Sequence, residues 1–68
     1  MNDAAVKKAV TLFLKNVNFT AQRELEKVVR NALTGGKLQP GEIVNASITL
    51  SCEKIDLNVT IFSKIDVQ

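Results

Sequence analysis

Val44-Asn45-Ala46-Ser47-Ile48-Thr49-Leu50-Ser51-Cys52 alternates apolar and polar residues without a break. A period of two puts Val44, Ala46, Ile48, Leu50 and Cys52 on one side of an extended chain and Asn45, Ser47, Thr49 and Ser51 on the other. A second alternation follows, with Ile55, Leu57, Val59, Ile61, Ile65 and Val67 on one side and Asp56, Asn58 and Thr60 opposite. Two such runs around Glu53-Lys54 predict an antiparallel hairpin, with strands over residues 43–52 and 55–67. Glu-Lys lacks the Gly or Asn that a two-residue primed turn favours, so a four-residue loop competes with it. Leu50 is expected opposite Leu57, and Ile48 opposite Val59. A slip of one residue would send every apolar side chain to the wrong face, so the faces are well specified.

Upstream of the hairpin the period changes. Val6, Val10, Phe13, Leu14 and Val17 recur at helical spacing, and Asn2 or Asp3 can cap their start, predicting a helix over residues 3–17. Ala5, Ala9 and Leu12 flank that stripe and widen the apolar face beyond what one neighbour needs. Asn18-Phe19-Thr20 is expected to break the helix, with Thr20 as the N-cap of a second helix over residues 21–33. Ala21, Leu25, Val28, Val29, Ala32 and Leu33 give that segment its own apolar face, and Gly35-Gly36 ends it. Residues 35–42, punctuated by Gly35, Gly36, Pro40 and Gly41, form the one connector with loop composition. The expected fold is a single α+β domain over residues 1–68, in which two N-terminal helices pack on the apolar face of a C-terminal antiparallel β-hairpin.

Composition sets limits on function. The chain has 68 residues, 46% of them hydrophobic, which is enough apolar material to argue against disorder. So short a chain nonetheless buries only about 60% of the surface it exposes when unfolded, so its own core is marginal. One cysteine, Cys52, rules out an internal disulfide, and a small domain without such staples suits a reducing cytoplasm. Lys7, Lys8 and Lys15 interrupt the apolar residues near the start, which predicts no export leader. No stretch reaches the roughly 20 apolar residues of a membrane span. The net charge of +2 is unevenly placed: the half ending at Leu38 is basic, and the half from Gln39 onward is acidic.

Thr20-Ala21-Gln22-Arg23-Glu24-Leu25-Glu26-Lys27-Val28-Val29-Arg30, with the trailing Gly36-Lys37-Leu38, resembles a family of short bacterial proteins of unknown function. The resemblance implies two helices plus a hairpin and a bacterial cytoplasmic setting. It implies no catalytic or binding residue. The turn Glu53-Lys54-Ile55-Asp56 departs from the glycine-bearing turn expected there.

Chemistry-bearing constellations are few. The absence of histidine removes Ser-His and Cys-His arrangements. Cys52 lies on the apolar row of its strand and is expected to be a buried, unreactive thiol. One Cys without His makes no structural zinc site, and the scattered carboxylates make no calcium loop. No catalytic, cofactor-binding or metal residue is therefore expected. Gly35-Gly36-Lys37 lacks the leading glycine and following Ser or Thr of a phosphate loop, and it follows a helix where that motif needs a strand. Asn45-Ala46-Ser47 and Asn58-Val59-Thr60 read as the polar face of the hairpin rather than as glycan acceptors.

Two surfaces remain. Arg23, Lys27 and Arg30, with Gln22 beside them, form a basic stripe that is the candidate nucleic-acid contact. Glu24 and Glu26 flank it, and so few cations neutralise few phosphates, so a solvated face is the simpler reading. Ala5, Ala9 and Leu12 are the candidate dimer contact. The hairpin has two open edges with no proline or inward charge on its apolar row. The leading expectation is therefore a non-catalytic homodimer, with a four-stranded sheet running across two copies. A small nucleic-acid-binding protein is the alternative.

Overall fold

The computed structural model describes residues 2–68 and contains one long helix followed by a two-stranded antiparallel hairpin. Helix α1 spans Asp3–Thr34, strand β1 spans Ile43–Cys52 and strand β2 spans Leu57–Asp66. Two compact units divide the chain, one ending at Lys37 and the other covering Leu38–Gln68.

The expected pair of helices is a single helix of 32 residues. Asn18-Phe19-Thr20 does not break it, for two physical reasons. Asn, Phe and Thr each cost well under about 1 kcal/mol in a helix interior, whereas an effective break needs Pro or Gly. The apolar spacing also runs on in phase. Val6, Val10, Phe13 and Val17 lead at steps of four or three residues into Ala21, Leu25, Val28 and Ala32. Thr20 is thus an interior helical residue, not an N-cap.

Asn2 caps the start of α1, its Oδ1 accepting from the Ala4 and Ala5 N–H groups at 3.0 and 3.3 Å. At the other end, Lys37 N–H donates to the Ala32 carbonyl at 2.9 Å and Gly36 N–H to the Leu33 carbonyl at 3.3 Å. Gly36 adopts a φ of 79°, the left-handed conformation that this paired closing pattern requires. The Gly35-Gly36-Lys37 segment is a helix terminus.

The connector then turns at Gln39-Pro40-Gly41-Glu42. Pro40 fixes the second position, and Gly41 supplies a φ of 86° at the third. Glu42 closes the turn from both ends: its N–H donates to the Gln39 carbonyl at 3.0 Å, and its Oε1 accepts the Gln39 N–H at 2.9 Å. Beyond the strands proper, Gly41 N–H donates to the Val67 carbonyl and Val67 N–H to the Glu42 carbonyl, extending the pairing toward the turn.

In the hairpin, Cys52 pairs with Leu57, Leu50 with Val59, and Ile48 with Ile61. The expected register of Leu50 with Leu57 is therefore shifted by two residues. The shift follows from the loop, which holds four residues, Glu53-Lys54-Ile55-Asp56, of which Glu53–Ile55 form a 3-10 turn. A two-residue shift preserves the pleat, so the faces stay as the alternation predicts. One face carries Val44 opposite Ile65, Ile48 opposite Ile61, and Leu50 opposite Val59. On the other face the Thr49 and Thr60 hydroxyls lie 3.1 Å apart in a cross-strand hydrogen bond. Among the described residues the sheet has these two strands, and each has one edge unpaired.

Candidate functional site

The residues singled out from the sequence fall into a helical group and a hairpin group. Gln22, Arg23, Lys27 and Arg30 are all exposed on α1. They do not act as a free cationic stripe. Gln22 Nε2 donates to Glu26 Oε2 at 3.0 Å, and Arg30 lies 3.8 Å from Glu26 Oε1. One carboxylate thus engages two members of the candidate contact. The Arg23 guanidinium sits 5.7 Å from the centre of the Phe19 ring, a cation–π distance one helical turn apart. The last of these contacts depends on a continuous helix, since Phe19 and Arg23 belong to one helix only if it runs through residue 20.

Continuity has a second effect. Ala5, Ala9 and Leu12 fall on the same side of α1 as Arg23, Lys27 and Arg30, each group spaced by three or four residues. All three apolar members are exposed. That side of the helix is apolar in its first half and cationic in its second. The two candidate surfaces are one stripe.

The hairpin departs from expectation at Cys52, whose thiol is exposed. It closes β1 at the hairpin tip, where a shallow hollow is lined by Ser51, Cys52, Glu53, Asp56, Leu57 and Asn58. That lining holds two carboxylates and no Lys or Arg, whereas a nucleophilic thiolate needs nearby positive charge. Among the described residues, no group of three or more Cys, Asp or Glu side chains is placed to hold a metal ion. No helix among them is long and apolar enough to cross a membrane.

Sequence reasoning passed over Phe62. It pairs with Ser47 on the polar face of the hairpin and is 75% exposed, the most open large apolar side chain among the described residues. Its signal was present in the alternation, because Phe62 occupies a position where Asn58 and Thr60 predict a polar residue.

Burial is the property that defines the surface as a whole. Leu38, 7% exposed, is the buried hydrophobic residue among those described, and α1 contains no buried residue along its length. Val10, Phe13, Leu25 and Val28 on the helix and Ile48, Val59 and Ile61 on the hairpin are all exposed. The chain belongs to a family of unknown function (DUF6494), whose family model matches residues 1–68. No curated protein and no solved structure matches it.

Proposed function

We propose that this chain is a non-catalytic, self-associating structural or interaction module, a homodimer working in a reducing cytoplasm. The observation that carries this reading is the exposure of the apolar rows on both helix and hairpin. Contiguous exposed apolar surface is costly in water and marks interaction sites. The hairpin adds a second motive. A lone two-stranded sheet is marginally stable, and its open edges offer N–H and C=O groups to another strand. Two hairpins joined at one edge make a four-stranded sheet with one continuous apolar face. A two-fold axis brings the same residues together from both copies; at Ala5, Ala9 and Leu12 the two small alanines let the helices approach and Leu12 supplies apolar contact.

Light scattering after size exclusion tests this. The expected mass is twice the 7.4 kDa of the chain, falling on dilution. A mass near 7.4 kDa that persists at high micromolar concentration overturns the proposal.

The stripe of Arg23, Lys27 and Arg30 favours a second reading, contact with a nucleic-acid backbone. The engagement of Arg30 by Glu26 weakens it. A band shift with duplex DNA or RNA that fades steeply as salt rises supports this reading, and no shift at low salt removes it.

A further inference from the structure

The phase of the hairpin ladder shows which main-chain groups are turned outward. Val67 N–H donates to the Glu42 carbonyl at 3.2 Å, so Glu42 and Val67 form a hydrogen-bonded pair. Opposed pairs in an antiparallel ladder alternate between hydrogen-bonded and open. In the observed register, every second pair from Val44–Ile65 to Cys52–Leu57 is therefore hydrogen-bonded, and the pairs between them are open. The Thr49 and Thr60 hydroxyls, 3.1 Å apart, fit this phase, because side chains of an open pair stand closer together. Residues of open pairs point their N–H and C=O groups away from the partner strand. On β1 these are the odd-numbered residues from Asn45 to Ser51, and on β2 the even-numbered residues from Asn58 to Lys64.

The two edges are not equivalent. β1 runs for ten residues without a charge, a proline or a glycine. The outward row of β2 ends in Lys64 and Asp66, and charged side chains, lysine above all, discourage a further strand. β1 is the edge left open.

β1 also matches itself. Its apolar row, from Val44 to Cys52, is centred on Ile48. An antiparallel pairing about a two-fold axis at Ile48 sets Val44 against Cys52 of the second copy, and Ala46 against Leu50. On the other face it sets Asn45 against Ser51 and Ser47 against Thr49, polar pairs of the kind that stabilise sheets. The same axis brings the outward N–H and C=O groups of Ser47 opposite those of Thr49. Moving the axis by one residue either way sets Cys52 against Glu42, or Val44 against Lys54.

We propose that β1 pairs with β1 of a second copy of this chain, antiparallel and centred on Ile48. This contact rests on the self-association proposed above and assigns it an edge and a register.

Amide hydrogen exchange on the intact protein tests the edge. In the dimer, the N–H groups of Asn45, Ser47, Thr49 and Ser51 should exchange about tenfold or more slowly than those of Asn58, Thr60, Phe62 and Lys64. The difference should vanish on dilution to monomer. A dimeric mass by light scattering with equal rates in the two rows overturns the edge contact and leaves self-association standing. Slow exchange in the β2 row alone overturns it as well, by moving the contact to the other edge. A monomeric mass at high micromolar concentration overturns both readings.

Cross-linking tests the register. In a Cys52→Ser background, Ile48→Cys should oxidise readily to a disulfide with its mate. An open antiparallel pair holds its Cα atoms about 4.5 Å apart, a spacing that a disulfide spans. Ile61→Cys would stand three strand spacings from its mate, roughly 14 Å, and should stay reduced. A dimer in which Ile48→Cys stays reduced, or in which Ile61→Cys links as fast, overturns the pairing about Ile48.

Discussion

The Asp56 N–H donates to the Glu53 carbonyl at 3.1 Å, and Asp56 itself holds a left-handed φ of 54°. The turn that looked unsuited to a hairpin thus uses Asp where glycine is usual, since Asp tolerates this region better than most side chains. A β-branched residue there should be strained. Asp56→Val is expected to lower stability by about 1–2 kcal/mol, while Asp56→Gly is neutral or stabilising. Thermal melts of the three proteins check this, and a Val variant as stable as the parent would refute the turn.

Continuity of the helix has its own test in Ala21→Pro. If Thr20 were an N-cap, Ala21 would be the first helical position, where proline is welcome. Inside one helix, the same proline removes a hydrogen bond and clashes with the preceding turn, at a cost of about 3 kcal/mol. A marked loss of far-ultraviolet helical signal and of melting temperature is expected. Unchanged melting would restore two helices.

Exposed charge contacts on α1 should matter little. Glu26→Ala and Arg23→Ala are each expected to change stability by no more than about 0.5 kcal/mol, the scale of solvent-exposed helical pairs. Denaturant titration at low and high salt measures it. A loss several times larger from either variant would place these side chains inside an interface.

Cys52 gives a reading of assembly that needs no substitution. Its thiol is exposed in the single chain and stands on the apolar row of the hairpin. Labelling with a thiol reagent should be rapid in dilute protein and slow as concentration rises through the dimer range. A rate independent of concentration would mean that the hairpin face stays open in the dimer.

How much of this was legible depends on how far each signal reaches along the chain. The alternation of Val44 to Cys52 specifies faces, because neighbouring side chains point to opposite sides whatever the partner strand does. It does not specify register, which depends on loop length, and Glu53-Lys54-Ile55-Asp56 has no residue that selects one length outright. At Asn18-Phe19-Thr20 the local signal favoured a cap, but the phase carried from Val17 to Ala21 favoured continuation, and weak helix breakers do not outweigh it. The exposed thiol of Cys52 was hidden for another reason. Alternation assigns a residue to a face, and only a covering element makes that face a core. The candidate stripes were legible residue by residue, but that they share one side of α1 emerges only once the helix is unbroken.

The two-stranded sheet has a final consequence. Any two-fold pairing that uses one edge leaves the other edge of each hairpin facing outward, with the same N–H and C=O pattern that made the first union. Closure is then not guaranteed by geometry, because the reaction that makes a pair can also lengthen it into a ribbon. How much of the chain a cell makes becomes a determinant of its quaternary form, and a surplus of the protein is a route to polymer.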